Sequence, residues 1–293
     1  MEKPKLSVSY SAGQTSALMA KLCKDKFGET HELVFTFANT GCEHENTLLF
    51  AKQCDEHFGL NLVWLEAVVG DKGVGIRHKI VNYETASRNG EPFESYIKKY
   101  GIPNAGLPQC TSRLKTEVME SYLKTRGFKR GKKLNYDTAI GIRADEIDRI
   151  SKKRKENRYV YPLVAAGITK KDVLAYWASM PFKLQLPGEH YGNCVTCWKK
   201  SYRKLMTIAV EQPHRFDFFK RMELEHRKTK CDTGNGRVFF RQNKSANDIF
   251  EMAKQPFELY KDAAPPDPNI GTWDVSLDVG SACGESCEIG ADE

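Results

Sequence analysis

Leu6, Val8 and Tyr10 lie in an apolar, strand-forming run that ends in Ser-Ala-Gly-Gln-Thr-Ser and passes at once into the helix formers Ala17, Leu18, Met19 and Ala20. A second apolar run, from His31 to Gly41, reads as a strand buried on both faces. Residues 45–58 place Leu48, Leu49, Ala51, Cys54 and His57 at helical spacing, and residues 61–67 (NLVWLEA) form a third strand. Strand, helix and strand at this interval predict a right-handed parallel βαβ arrangement, hence an α/β, Rossmann-like sheet. Ligands of such sheets sit at the carboxyl ends of strands. The loop at residues 11–16 and the segment Ala38-Asn39-Thr40-Gly41 both fall there.

Residues 70–109 lose the pattern and read as a partly helical excursion. Residues 111–126 predict a helix with Leu114, Val118, Met119, Tyr122 and Leu123 inward, and residues 137–142 a short strand. Thr169 and Asp172 form a near capping box that starts a helix, which Pro181 ends. Beyond Pro187 the character changes to a cysteine-bearing loop followed by helices, and from Ala263 core-forming residues become sparse. The expected organisation is an α/β nucleotide-binding domain over 1–186, a helical cysteine-bearing subdomain over 187–262 and a flexible tail over 263–293.

The chain has 293 residues, no apolar run long enough for a membrane span and no secretory core near its first residues, so the cytoplasm is the expected compartment. Nine cysteines in that setting stay reduced or bind metal. A formal charge of +7 permits a polyanionic substrate. The basic run Lys152–Arg158 is either a solvated loop or a contact for such a substrate.

The first helix start presents unpaired N–H groups and the positive end of a helix dipole, with hydroxyls on Ser9, Ser11, Thr15 and Ser16 around it. That is a phosphate cradle or an ordinary turn with a capping serine. Cys194-Val-Thr-Cys197 has the spacing of a metal or cluster ligand pair. Cys110, opening a helix where thiolate is favoured, is the best distant third ligand, with Cys231 and His190 as candidates for a fourth. The alternatives are a structural zinc at the pair and a buried apolar thiol at Cys110. Arg143, Asp145, Glu146 and Arg149 bring forks suited to phosphate and carboxylates suited to Mg²⁺, or else a self-neutralising salt-bridge cluster.

The loop Ser9-Tyr-Ser11-Ala12-Gly13-Gln14-Thr15-Ser16 resembles the S-x-S-G-G-x-[DT]-S loop of the adenine nucleotide α-hydrolase (PP-loop) superfamily, with Ala12 in place of the first glycine. FANTGCEHENTLLF, WLE, CTSRLK, GIRADEIDR, YPLVAAGITKKDVLAYW and GNCVTCWKKS extend the resemblance over residues 6–205, to the phosphoadenosine phosphosulfate reductase-like branch. The resemblance implies that residues 9, 11–13, 15 and 16 of that loop bind nucleotide phosphates, with Gln14 where a basic residue is frequent. It also implies that Asn39, Thr40 and Gly41 lie near the nucleotide and that Arg143 and Arg149 hold phosphate or sulfate. Cys110, Cys194 and Cys197 occupy cluster-ligand positions, a single thiol at Gln109-Cys110 replacing the Cys-Cys pair of the iron–sulfur reductases.

The implied activity is that of an ATP pyrophosphatase and sulfurtransferase. It would use ATP or a related adenine nucleotide, Mg²⁺ and a [4Fe–4S] cluster (zinc as the alternative), with Arg143, Asp145 and Cys110 as the catalytic set. The substrate would be tRNA or DNA, and the sulfur would come from sulfide or a donor protein. A homodimer is compatible with this reading. The rivals are an adenylyl-sulfate type reductase using Cys283 or Cys287 of the tail, and a non-catalytic nucleotide-binding module with structural zinc.

Overall fold

The computed structural model describes residues 2–71, 73–130, 134–231 and 234–262. The expected tail, with Cys283 and Cys287, lies outside the described residues. The elements in chain order are β1 (Lys5–Tyr10), α1 (Gln14–Phe27), β2 (Glu32–Asn39), α2 (Glu45–Phe58), β3 (Val63–Val69), β4 (Ile76–Val81), α3 (Glu91–Tyr100) and α4 (Glu117–Thr125). Then come β5 (Tyr136–Ala139), β6 (Tyr159–Val160), α5 (Pro162–Ala165), α6 (Lys170–Ser179), α7 (Tyr202–Glu211), α8 (Asp217–His226) and α9 (Ala246–Ala253). The strands form one six-stranded sheet in the order β4-β3-β2-β1-β5-β6, and every pair is parallel except β3 with β4. This is a mixed α/β fold with a mostly parallel sheet.

Strand alternation divides the core into two layers. Val8, Tyr10, Phe35, Phe37 and Trp64 face α1, α2 and Trp177 of α6. Val34, Ala38, Leu65 and Ala67 face Phe93, Tyr96, Val118 and Met119, and the same cluster takes in Leu205 of α7, Met222 of α8 and Ile249 of α9. The helices of residues 187–262 therefore share a core with one face of the sheet. Among the described residues, no helix is long and apolar enough to cross a membrane.

Two local expectations change. The segment expected to be an irregular excursion contains β4, IRHKIV, an antiparallel edge strand whose mixed polarity hid it. The helix expected over residues 111–126 is interrupted by a π-turn at Ser112–Thr116, immediately after Cys110. The capping box at Thr169 and Asp172 forms as expected, with Thr169 N donating to the Asp172 carboxylate at 2.9 Å.

Candidate nucleotide and cysteine sites

At the end of β1 the chain turns through Ser11, Ala12 and Gly13 into α1. Ala12 has φ +60°, the left-handed conformation that glycine adopts without penalty, at the position where the resembling loop carries its first glycine. Ser16 Oγ accepts from the N–H groups of Ser11 and Gly13, each at 3.2 Å, and donates to Gly13 O at 3.0 Å. The first intrahelical bond is Ala17 N to Gly13 O at 3.0 Å, so the N–H groups of residues 14–16 precede the helix ladder. They stand at the wall of a cavity of about 210 Å³ lined by residues 11–16, Thr47, Arg143, Lys170, Glu189, Gly192, Asn193 and Asp262.

The exit of β5 closes the cradle. A Cβ on Gly141 would stand 3.2 Å from Ser16 Cα, so glycine lets the two backbones approach. Arg143 is buried and reaches α1, donating to Thr15 Oγ1 at 3.4 Å. It is also ion-paired with Asp145 at 3.0 Å and Glu146 at 3.3 Å. Burial works against the Asp145 charge, but the Arg143 guanidinium and the Lys170 N–H hold its carboxyl below the usual range. Asp145 also accepts from Lys170 N at 3.2 Å, which anchors the start of α6 beside the cavity. Trp177 of α6 donates to Gln14 O at 2.9 Å. The Lys170 ammonium meets Glu189 Oε1 at 2.9 Å.

The cysteines form a second site behind the loop 192–197. Thr40, Cys110, Leu114, Lys115, Cys194, Cys197, Trp198 and Phe219 line one apolar cavity. Its volume is only about 20 Å³, little more than one water molecule's worth of space. Thr40 Oγ1 lies 3.4 Å from Cys194 Sγ, and Val195 N donates to Cys42 O at 3.0 Å. Cys42 packs against Cys194 and Cys197, and burial, then the neighbouring Cys194 and Glu43, push its thiol well up. Glu43 holds this turn from below, accepting from Thr40 N at 3.0 Å and Cys42 N at 3.1 Å.

Three thiols around a dry cavity are a donor set for a thiolate-bound metal group. Among the described residues, the set of three or more ligand atoms mutually within 4.8 Å is Glu94, Glu225 and His226, and the three sulfurs are not such a set. A tetrahedral zinc would hold its sulfurs about 3.8 Å apart.

Several expected site residues sit elsewhere. Ser9 is turned by strand alternation to the opposite face, where its hydroxyl lies 3.9 Å from Met119 Sδ. Asn39 is bound to Glu66 at 2.7 Å and to Ser87 O at 2.9 Å, and Gly41 packs on Gly90. Thr40 faces the cysteines. None of the three lines the cavity at residues 11–16, although Asn39 ends β2 and Thr40 and Gly41 follow it. Arg149 pairs with Glu146 and is likewise absent from that lining, so of the two arginines Arg143 alone reaches it. Neither candidate for a fourth ligand reaches the cysteine cavity. His190 stacks near Tyr191 and Tyr260 with Nε2 3.5 Å from Glu211, and Cys231 lies in a turn bonded to Lys228 O.

Lys170 and Cys42 were not anticipated. Cys42 directly follows Asn39-Thr40-Gly41 and carries a sequence signal once that strand end is taken seriously. Lys170 carries none, because helix-start lysines are common.

No protein-family model matches the chain. It is 28% identical over 119 residues to the uncharacterized protein MJ0973 of Methanocaldococcus jannaschii, covering 41% of this chain and 23% of that protein. It is 25% identical over 166 residues to the uncharacterized protein MJ0066 of the same organism, covering 55% of this chain and 27% of that protein. Similarity to the uncharacterized nin region protein ORF290 of Escherichia phage lambda is 32% identity over 295 residues, covering 96% of this chain and 94% of the phage protein. The chain belongs to the family of that phage lambda nin region protein.

Proposed function

We propose that the protein is an adenine-nucleotide-dependent sulfurtransferase with an adenine nucleotide α-hydrolase-like fold. The observation that carries this reading is the shared wall at residues 192–197. Gly192 and Asn193 line the cavity of about 210 Å³ at the Ser11–Ser16 loop, and Cys194 and Cys197 line the three-cysteine cavity behind it. A nucleotide and a sulfur-handling group held there are neighbours.

In this reading the N–H groups at the start of α1, with Arg143 and Lys170, hold the phosphates of ATP. Glu189 and Asp262 supply carboxylates at the same cavity for Mg²⁺. An acceptor carbonyl oxygen attacks the α-phosphorus, a P–O bond forms, and pyrophosphate leaves. Sulfide, free or released at the sulfide level by a donor protein, then attacks the activated carbon; the C–S bond forms as the C–O bond breaks, and AMP leaves without net oxidation. Cys110, Cys194 and Cys197 would hold an iron–sulfur cluster. Such a cluster supplies an iron position at which sulfide can be carried. The alternatives, an adenylyl-sulfate reductase and a nucleotide-binding module with structural zinc, gain no specific support from the described residues.

The test is metal and acid-labile sulfide analysis of anaerobically purified protein, combined with pyrophosphate release from ATP in the presence of tRNA or DNA. Iron with matching sulfide and nucleic-acid-stimulated pyrophosphate release are expected. A colourless protein holding stoichiometric zinc and releasing no pyrophosphate would overturn the reading.

A further inference from the structure

Three cavities meet at the loop 192–197. Beyond the two described above, Val195 and Thr196 form the wall of a third, of about 470 Å³, which also takes in Cys42, Arg88, Arg215 and Arg221. Nothing in the proposed nucleotide or cysteine chemistry uses it.

Its walls carry Glu43 and Asp217 beside basic groups that come from three separate parts of the chain. Arg88 precedes α3, His214 and Arg215 join α7 to α8, and Arg221 lies on α8. Arg88 meets Glu45 at 2.8 Å and Arg221 meets Glu94 at 2.7 Å, with both arginine side chains a third or more exposed. Arg88 is fixed at the rim by both Glu45 oxygens and by the Ala86 and Tyr83 carbonyls, whereas the more exposed Arg221 is held mainly by one Glu94 oxygen and is the freer of the two to turn to a phosphate. Arg215 donates to the neutral amide oxygen of Gln212 at 2.9 Å. Arg215 on the turn before α8 and Arg221 on α8, with Arg88 fixed beside them, offer separated cationic groups that suit successive phosphates along a strand better than one isolated phosphate. Phe218 adds an aromatic ring to the same wall, with the Arg221 guanidinium 5.7 Å from its centroid. Basic groups interleaved with an aromatic surface are what a single-stranded nucleic acid requires.

We infer that this cleft holds the sugar–phosphate strand of a nucleic-acid acceptor and presents a base to the Thr196 side of the cysteine loop. The role as acceptor rests on the sulfurtransferase reading; the binding of a strand does not. This surface is distinct from the exposed run at residues 152–158, where Arg158 is already paired with Asp137 at 2.6 Å.

The test uses the full-length chain and short fluorescein-labelled single-stranded RNA and DNA oligonucleotides, read by anisotropy over a range of salt. The double variant R215E/R221E is expected to weaken binding tenfold or more. The neutral pair R215Q/R221Q, checked for a wild-type thermal transition, should flatten the salt dependence by about two phosphate contacts. K152E/K153E should change affinity less than threefold. Wild-type binding by the folded cleft variants, or an equal loss from K152E/K153E, overturns the inference. So does equal competition by AMP at matched phosphate concentration, which would make the cleft a single-phosphate site. Calorimetric titration of ATP into the wild-type chain tests the nucleotide reading separately. Loss of ATP binding with cleft-dependent oligonucleotide binding would refute that reading and leave the cleft standing.

Discussion

The cavity at the Ser11–Ser16 loop is made largely of backbone and helix starts, whereas the cavity around Cys110, Cys194 and Cys197 is made of side chains from distant segments. The first is assembled by a strand, a turn and a helix that follow one another within twelve residues, and Ser16 satisfies the turn from inside it. The second requires β2, the π-turn after Cys110, the loop 192–197 and α8 to converge. A backbone cradle tolerates side-chain change and depends on chain direction. A side-chain cavity loses its chemistry when one donor is removed. The largest expected effect follows from that asymmetry. With the proposed cluster on Cys110, Cys194 and Cys197, C194A or C197A should lower the iron and labile sulfide of anaerobically prepared protein tenfold or more, while C231S and H190A leave metal content unchanged. Retained iron in C194A would dissolve the contrast.

The same asymmetry decides what the sequence reveals. The parallel βαβ unit, the α1 start and the α6 capping box follow from local patterns, and each forms as those patterns predict. Cys110, Cys194 and Cys197 were recognisable by residue type and spacing, and they do line one cavity. Spacing could not say that His190 and Cys231 turn away from it, or that Cys42 turns toward Cys194, because those outcomes depend on tertiary packing. Ser9 was misplaced for a simpler reason: a serine one residue out of phase in a strand faces the other layer. Arg149 shares the charge and spacing of Arg143 but is held against Glu146, which no count of charges along a segment reveals.

Glycines sharpen the contrast in stability. Gly41, behind the cysteine loop, has φ +80°, and a Cβ there would lie 2.8 Å from Gly90 N. G41A should cost about 2–3 kcal/mol, combining left-handed strain with a backbone collision. Gly13, in the cradle, has φ −94°, and its nearest Cβ contact would be Ser11 Oγ at 4.0 Å. G13A should change stability by about 0.5 kcal/mol or less. Chemical denaturation of the two variants measures the difference, and equal losses would remove the distinction.

The cysteine side also carries a pH liability. Glu223 of α8 is buried, accepting from Phe239 N at 3.1 Å and Ala246 N at 2.9 Å, and thereby ties α8 to the start of α9. Burial pushes its carboxyl up to about 7, against the lowering effect of those N–H groups. The folded chain therefore keeps this proton up to about pH 7, while the unfolded chain releases it near 4.5. More protons are bound in the folded state between those values, so stability falls as pH rises from about 4.5 through about 7. The contribution is about 3 kcal/mol, from a difference of roughly 2.5 pH units at about 1.4 kcal/mol each. E223Q should abolish that slope in urea titrations across this window, and an unchanged slope would assign it to another group.

The smallest expected effect concerns the charge that the cradle itself lacks. Its turn offers Ala12 and Gln14 rather than a basic side chain, and Arg143 is already committed to Asp145 and Glu146. Lys170 enters the same cavity from the start of α6, where Asp145 holds its backbone and Glu189 its ammonium at 2.9 Å. Lys170 is more than a third exposed and Glu189 nearly so, so the pair is worth about 1 kcal/mol or less and the ammonium can move to a phosphate at small cost. K170A should weaken ATP about tenfold, or about 1.4 kcal/mol, while AMP, which has a single phosphate, loses threefold or less. With Glu189 on Mg²⁺ as proposed, E189Q should weaken ATP binding when the metal is present, and without metal should strengthen it slightly by releasing the lysine. Calorimetric titration with and without Mg²⁺ separates these outcomes. Equal ATP affinity in K170A and wild type would mean that the backbone N–H groups and Arg143 carry the phosphates unaided, making the cradle even more purely a backbone site than its contrast with the cysteine cavity implies.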